Sequence, residues 1–326
     1  MSNEKKVIKI NFSDMWRDFD VYDNFITSAI KELFGEYEIA EKPDYLFFSC
    51  SGTDHYKYDD CIKIFIAGEA VIPDFNICDY AIAYPYLEFG DRYLKHPVWF
   101  WHTPPQPVSL SDEELLNRRF CNFVYSNENR GTAVEFRKRF AKKLMEYKSI
   151  DCPGKVLNNM PPGSIEPRKG NWRDGKIDFI SNYKFTIAFE NCKMPGYSTE
   201  KIEDPLIAHS VPIYWGDPQV GRSYNIESMV CVNGYEDDLD SIVNRIIYLD
   251  THDDEYLKIV KIDPMMDDPS KGINDFKTFL ANIIEGNTEP IERDPMGFGR
   301  VMTIPEYRTK DLINMLGKKI VDKVIR

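Results

Sequence analysis

The sequence predicts an α/β protein with two blocks, each built on a mostly parallel sheet with helices on both faces. Short, strongly apolar runs recur along the chain, and such runs are typical of strands that are buried on both faces. Segments with apolar residues at helical spacing separate these runs. The stretch TPPQP at Thr103–Pro107 resembles a linker, which favours two domains over one.

The first block starts with an alternating, β-branched segment at Lys5–Phe12, which predicts a strand. An apolar stripe at Asp23–Phe34 predicts a helix that ends before Gly35. Further strands of the buried type are expected at Asp44–Ser49, Ile62–Ile66 and Tyr80–Ala83.

The second block repeats the alternation. Short apolar runs stand at Arg119–Ser126, Asp174–Ile180, Phe185–Phe189, Val211–Trp215 and Met229–Val232. Helical spacing appears at Thr132–Tyr147, Thr199–His209, Leu239–Leu249 and Phe276–Ile284. The expected division is 1–107 for the first domain, 108–305 for the second and 306–326 for a tail, with the last helix free to pack back on the first domain. The crevice where the carboxyl ends of the two sheets meet is the expected ligand site.

Charge and length exclude several classes of protein. The chain has 41 basic and 53 acidic residues, a net charge of −12, which argues against a general nucleic-acid binder. No apolar run is long enough to span a bilayer, and MSNEKK leads directly into a strand without a signal peptide, so we expect a cytoplasmic protein. The tail at 310–326 has a basic amphipathic pattern. It predicts either a helix packed on the body or peripheral contact with the inner face of a membrane.

The segment Tyr183–Pro218 carries the chemistry. A strand runs into a loop, and Thr199 is a good N-cap for a helix whose first turn contains Glu200 and Lys201. The N-terminus of a helix suits a diphosphate, and a lysine there is explained by a bound anion better than by the helix dipole. A glutamate beside it could accept hydrogen bonds from ribose hydroxyls. Taken alone, however, the pair is more typical of a solvated helix start.

The whole segment resembles the signature of the α-1,3-fucosyltransferases, glycosyltransferase family ten, and bacterial members most of all. The matching pieces are Phe189-Glu190-Asn191, Tyr197-Ser198-Thr199-Glu200-Lys201 and Pro212-Ile213-Tyr214-Trp215-Gly216. The resemblance implies two Rossmann-like domains facing a central cleft, the glycosyltransferase B type, with an acceptor domain first and a GDP-fucose domain second. It also implies that Asn191, Tyr197, Glu200 and Lys201 line the donor site, with Lys201 on the diphosphate and Glu200 on the ribose.

An inverting transfer needs one base opposite the leaving group. Family members carry a glutamate just past a buried strand, and the matching residue here is Glu69, in the context Gly68-Glu69-Ala70. An ordinary surface glutamate is the alternative. The following segment LEFGDRYLKHP also resembles the bacterial members, and its Arg92 and Lys95 are expected either to solvate a helix or to face the acceptor.

A leaving diphosphate usually needs a second cation. Family members have an arginine after the strand that ends Val124–Asn127 in this chain. The position matching some bacterial relatives holds Ala133, so Arg130 is the predicted donor-binding residue and Arg137 the reserve.

No metal site is predicted. The cysteines are never spaced as CxxC and the histidines lack ligand spacing. Asp238-Leu239-Asp240 mimics a DxD metal motif, but an acidic helix start explains it equally well. No obligatory cofactor is expected, and stimulation by added Mn²⁺ or Mg²⁺ stays open.

These observations predict an inverting α-1,3-fucosyltransferase. Its donor would be GDP-β-L-fucose and its acceptor a hydroxyl of an N-acetylglucosamine-containing oligosaccharide. The alternatives are a transferase for another GDP-sugar on the same fold, and a non-catalytic glycan-binding relative.

Overall fold

A computed structural model of the chain describes residues 7–96, 104–128, 131–165, 172–234, 239–266, 268–286 and 289–291. Arg130 and the tail at 306–326 lie outside these residues. The described chain packs into two compact units. Among the described residues, unit 1 holds those from 7 to 83, the segment Leu87–His96 and those from Phe276 on. Unit 2 holds Tyr84–Tyr86 and the described residues between 104 and 275.

Unit 1 is built on one six-stranded sheet in which all neighbouring strands are parallel. The strands are β1 (Ile8–Ser13), β2 (Tyr37–Ile39), β3 (Tyr45–Phe48), β4 (Ile62–Ile66), β5 (Tyr80–Ala83) and β6 (Tyr93–Lys95), in the order β2-β1-β3-β4-β5-β6. Every residue of β4 and β5 is buried, as their apolar sequences predict. Helix α1 (Phe25–Phe34) follows β1 and starts at Asn24, whose side chain accepts the N–H groups of Ile26 and Thr27.

Unit 2 is built on a four-stranded parallel sheet in the order β10-β9-β8-β7. Its strands are β7 (Arg119–Asn122), β8 (Tyr183–Phe189), β9 (Val211–Trp215) and β10 (Val230–Cys231). Its helices are α2 (Asp112–Leu116), α3 (Thr132–Met145), α4 (Trp172–Ile180), α5 (Glu200–Ile207), α6 (Leu239–Thr251) and α7 (Asp253–Val260). Aromatic rings fill the core under α3, where Phe136 and Phe140 pack on Phe189 and Phe136 also contacts Trp215.

Helix α8 (Pro269–Glu285) is the last described element, and from Phe276 on it packs with unit 1. Phe276 contacts the ring of Phe25 at 5.4 Å, and Phe279 contacts Tyr80 at 6.0 Å. The expected division left the last helix of 108–305 free to pack back on the first domain, and α8 does so from Phe276 on. Tyr84–Tyr86, which that division places in the first domain, pack with unit 2.

Two local expectations were wrong. The run at 174–180 is part of helix α4 and not a strand, and only Ile180 of that helix is buried. The described residues of the segment LEFGDRYLKHP contain strand β6 at a sheet edge and no helix. The acidic residues Asp253–Glu255 form the first turn of α7, where carboxylates interact favourably with the helix dipole.

Within the ranges given above, no helix has both the length and the apolar character needed to cross a membrane.

Candidate functional site

The centre of the site in unit 2 is a buried carboxylate at the end of β8. Glu190 follows Phe189, and its own N–H still donates to the carbonyl of Trp215 at 2.8 Å, so its backbone is held against β9. Its side chain is fully buried. One carboxylate oxygen accepts the N–H of Thr199 at 2.8 Å, and the Thr199 hydroxyl lies 2.8 and 3.0 Å from the two oxygens. Glu190 therefore joins the end of β8 to the start of α5.

Gly216 makes room for this carboxylate. A Cβ atom at position 216 would lie 2.3 Å from Cγ and 2.6 Å from Cβ of Glu190, far inside the contact distance. The glycine that ends the Pro212–Gly216 motif is thus required because the Glu190 side chain crosses it.

Lys201 lies in the first turn of α5, where the Thr199 side chain caps the helix by accepting the Lys201 N–H. The ammonium Nζ lies 3.3 Å from Glu190 Oε2 and 3.2 Å from Glu200 Oε1, and it donates to Thr199 Oγ1 at 3.1 Å. The lysine side chain is 15 % exposed, and the three contacts hold its ammonium in place. An ammonium at a helix N-terminus can bind an anion such as a phosphate.

The titration of the three charged groups follows from this packing. Burial raises the pKa of Glu190 to about 7, a rise that Lys201 opposes and the Glu200 carboxylate reinforces. Burial also acts to raise the pKa of Glu200, but Lys201 and Lys176 outweigh it and lower the pKa to about 2. Burial acts to lower the pKa of Lys201, yet the two carboxylates raise it above its ordinary value. At neutral pH the site therefore has a fixed cation, a fixed anion and one carboxyl group near its midpoint.

A second ionic cluster supports α5 from the side of α4. Asp204 is fully buried and accepts from Arg173 Nε at 2.5 Å and from Lys176 Nζ at 2.6 Å. Its neighbour Glu203 is paired with Arg173 at 3.3 Å, and burial raises the pKa of Glu203 to about 8 in spite of that arginine. These contacts fix the helix that carries Glu200 and Lys201.

Tyr197 and Asn191 flank the same loop in different ways. The Tyr197 ring is buried and meets the ring of Tyr84 edge to face at 5.0 Å. Gly196, with a φ of 87°, allows this approach, because a Cβ there would lie 2.1 Å from the Tyr84 carbonyl oxygen. Asn191 follows Glu190 directly and is exposed. The structure therefore brings Asn191, Tyr197, Glu200 and Lys201 to one loop and helix start.

Of the two candidate arginines, only Arg137 can be located, since Arg130 lies outside the described residues. The Arg137 guanidinium is buried 4.4 Å above the Tyr125 ring and donates to the carbonyl of Asn127 at 2.6 Å. Its Nε and Nη1 atoms have no hydrogen-bond partner in the part of the chain that the structure describes. The Tyr125 hydroxyl in turn accepts the N–H of Phe189 at 2.6 Å. Arg137 thus packs behind the end of β8.

Glu69 belongs to unit 1, where it follows the carboxyl end of β4 and is exposed. The position just past a buried strand is the predicted one. Arg92 is engaged within the same unit: its guanidinium donates to the carbonyls of Asp79 and Cys78 and packs on Phe75 and Phe89. These contacts favour the structural role for Arg92.

The DxD-like motif is only partly described, because Asp238 lies outside the described residues. Asp240 stands in the first turn of α6 and pairs with Lys143 at 2.8 Å. This arrangement is typical of the acidic helix start.

Glu190 and Gly216 belong to the family motifs, but the sequence alone assigned them no role. For Glu190 the signal was an acidic residue directly after an unbroken apolar strand, since a carboxylate that is buried there needs hydrogen-bond donors. Nothing local signalled Tyr84, whose hydroxyl pKa is raised by burial and by three glutamates of this site.

Comparison with known proteins agrees with these features. A model described as the Alpha-(1,3)-fucosyltransferase FucT N-terminal domain matches residues 10–102. A second, described as Glycosyltransferase family 10 (fucosyltransferase) C-term, matches residues 91–261, more than half of the chain. The chain belongs to glycosyltransferase family 10. The resemblance noted in the sequence is confirmed at this level.

Individual relatives are moderately similar to this chain in sequence. The Alpha-(1,3)-fucosyltransferase FucT of Helicobacter pylori is 30 % identical over 244 residues, which cover 64 % of this chain and 48 % of that protein. The human GDP-fucose protein O-fucosyltransferase 3 is 32 % identical over 114 residues, 35 % of this chain and 24 % of that one. The chain thus spans about half the length of the bacterial relative.

Solved structures match over most of the chain. A crystal structure of an α1,3-fucosyltransferase with GDP-fucose has a TM-score of 0.68 at 25 % identity and covers 88 % of this chain and 93 % of that one. One with GDP has a TM-score of 0.65 at 26 % identity and covers 89 % and 93 %. The α/β fold with parallel sheets is therefore shared with these proteins.

Proposed function

We propose that this chain is an inverting α-1,3-fucosyltransferase that moves L-fucose from GDP-β-L-fucose to a hydroxyl of an N-acetylglucosamine-containing glycan. The observation that carries the proposal is the Lys201 ammonium, held between Glu190 and Glu200 at the N-terminus of α5 in a member of family 10. The similarity to a fucosyltransferase solved with GDP-fucose supports the choice of donor.

The proposed architecture is two Rossmann-like domains that face a central cleft, the B-type arrangement. It is supported by two all-parallel sheets, one in each compact unit. Unit 1 would bind the acceptor and supply the base, and unit 2 would bind GDP-fucose.

In the proposed reaction the acceptor oxygen attacks C1 of fucose on the face opposite the nucleotide. The bond from C1 to the β-phosphate oxygen breaks, and GDP leaves with its electron pair. Glu69 takes the proton of the attacking hydroxyl, a role that suits an exposed carboxylate at the carboxyl end of β4. One base and one displacement give inversion at C1.

The leaving diphosphate would be stabilised by cations and by the helix N-terminus. Lys201 would contact it directly, and Glu200, an anion at neutral pH, would accept from the ribose hydroxyls. Arg130 would add the second positive charge, with Arg137 as the reserve. Asn191 and Tyr197 would shape the pocket around the sugar and phosphates. With these groups no metal is obligatory in the proposed reaction, and turnover should survive treatment with EDTA.

The test combines turnover with binding. GDP-fucose and N-acetyllactosamine are incubated with the full chain, and the linkage of the product is determined by NMR. Glu69→Gln is expected to lower kcat by about 10²–10⁴-fold while the Kd for GDP stays unchanged. Glu36→Gln is the matched control, because Glu36 is an exposed glutamate at the amino end of β2, whereas Glu69 follows the carboxyl end of β4 in the same parallel sheet. Full turnover by Glu69→Gln would contradict the assignment of the base.

Lys201 is tested by calorimetry with GDP. Lys201→Met is expected to raise the Kd at least tenfold, and Lys201→Arg, which keeps the charge, to raise it less. Lys142→Met, at an exposed lysine of α3, is the control. Equal Kd values for all variants would exclude Lys201 from the diphosphate. Binding of UDP or CDP in place of GDP would favour a different donor, and GDP binding without any turnover would favour a non-catalytic relative.

A further inference from the structure

A half-buried tryptophan stands beside the proposed base in unit 1. Ser13, Phe48 and Phe65 lie in register on the neighbouring strands β1, β3 and β4. The chain segments that follow these strands therefore leave the sheet next to one another, at the carboxyl ends of the strands. Trp16 lies in the segment after β1, and Glu69 in the one after β4.

The segment that carries Trp16 is held by its first residue, Asp14. This residue has a φ of 54°, in the left-handed region, so the chain turns sharply as it leaves β1. Its carboxylate accepts the N–H groups of Asp54 and His55 at 2.9 and 2.8 Å and lies 2.6 Å from the His55 ring. The N–H of Ser51 donates to its carbonyl at 3.0 Å. These hydrogen bonds with residues 51–55, which follow β3, hold Asp14 in place.

The indole is held by contacts within its own segment and with β1. The N–H of Phe19 donates to the Trp16 carbonyl at 3.2 Å and closes a turn. The two rings meet edge to face at 4.9 Å, and the Phe19 ring packs on Phe12 of β1 at 5.1 Å. The side chain remains only half-buried, which leaves part of the ring surface accessible.

The accessible ring borders the residue before the proposed base. A Cβ atom at Gly68 would lie 3.5 Å from Cε3 of Trp16 and 3.6 Å from the Ser49 hydroxyl oxygen, both ordinary contact distances. The six-membered ring of the indole thus comes close to Gly68 on the side where a side chain would stand. The next residue is Glu69, with an exposed side chain.

We propose that Trp16 is the platform for the acceptor sugar: its ring packs on the C–H face of the pyranose whose hydroxyl Glu69 deprotonates. This inference rests on the proposed function. An aromatic ring offers a large apolar area that is stiff, with only two side-chain torsions, so it orients a ring-shaped ligand at low entropic cost. A pyranose has a C–H face of matching size and hydroxyls at its edge that stay free for the base.

The experiment separates acceptor binding from donor chemistry. Trp16→Ala and Trp16→Phe are compared in the full chain with GDP-fucose and N-acetyllactosamine. Trp16→Ala is expected to raise the KM for the acceptor at least tenfold, while the Kd for GDP and the slow hydrolysis of GDP-fucose without acceptor stay within twofold of the parent. Trp16→Phe should recover most of the acceptor KM. Tyr22→Ala, at an exposed aromatic residue of the same segment, is the control.

Saturation-transfer NMR with N-acetyllactosamine and GDP measures acceptor contact without turnover. A signal in the parent that Trp16→Ala loses is expected. An unchanged acceptor KM and NMR signal in Trp16→Ala would overturn the proposal. An equal loss of transfer, hydrolysis and GDP binding in Trp16→Ala would also overturn the proposal, because it would indicate that Trp16 has a structural role. If Trp16→Ala fails to fold, Trp16→Leu takes its place. A parent that binds no GDP would instead refute the proposed function.

Discussion

Replacing Glu190 by glutamine is expected to shift the stability of the protein in favour of the variant as the pH rises. The carboxyl group is fully buried, and burial raises its pKa from 4.5 to about 7. A raised pKa in the folded state means that the folded protein holds this proton more tightly than the unfolded chain. The stability from proton binding is fully present below pH 4.5 and is lost as the pH rises from 4.5 through 7.

The size of the effect follows from the same two values. The difference between 4.5 and about 7 corresponds to about 3 kcal/mol, at about 1.4 kcal/mol for each pKa unit. Glutamine cannot ionise, and its amide oxygen can still accept the Thr199 N–H that Glu190 accepts at 2.8 Å. The second oxygen of Glu190 lies 3.3 Å from the Lys201 ammonium, and the amide NH₂ group that replaces it is a less favourable neighbour of that cation at both pH values. The stability of the variant relative to the parent should therefore rise by about 2–3 kcal/mol between pH 5 and pH 8.

Equilibrium unfolding in urea at pH 5 and pH 8 measures this difference. Glu190→Ala is the informative contrast, because it leaves the Thr199 N–H and hydroxyl without their acceptor, at about 1–3 kcal/mol for each buried group. It should be less stable than Glu190→Gln at both pH values. Glu36→Gln, at an exposed site, should match the parent. If Glu190→Gln and the parent differ by the same amount at both pH values, the reasoning about the buried carboxyl group is refuted.

Three further changes are expected to have distinct effects. Gly216→Ala should lower the free energy of unfolding by about 1–3 kcal/mol, because its Cβ would overlap Glu190, and a normal Tm would contradict this. Arg130→Ala should raise the Kd for GDP about tenfold in calorimetry. Arg137→Met should raise the Kd less, since Arg137 packs on Tyr125. A larger effect of Arg137→Met would make Arg137 the arginine that contacts the diphosphate. Asp14→Asn should lower stability at pH 7 by about 1–2 kcal/mol. Burial acts to raise the pKa of Asp14, but hydrogen bonds to its carboxylate outweigh burial and lower the pKa. The difference in stability between the parent and Asp14→Asn should therefore shrink as the pH falls below 3.8. A stability difference that is the same at every pH would refute this prediction.

Local features of the structure could be predicted from the sequence. The apolar runs at Ile62–Ile66, Tyr80–Ala83 and Val211–Trp215 are strands with the predicted bounds, since a parallel strand covered on both faces leaves an unbroken apolar record. The start of α5 at Glu200 followed from Thr199, because an N-cap acts through its own two or three neighbours. Strands β2 and β6, with three residues each at the sheet edges, leave too short a pattern to detect.

The site residues likewise divide into those that the sequence brought together and those that only the tertiary structure brought together. The sequence by itself determined which residues share one loop and helix start, namely Asn191, Tyr197, Glu200 and Lys201. Only the tertiary structure decided that Glu190 lies beneath Lys201, since this depends on the pairing of β8 with β9, which aligns Phe189 with Trp215. The same pairing makes Gly216 indispensable. Likewise, only packing decided that α8 contacts the first unit, because an apolar helix face specifies that it must be covered but not by which sheet.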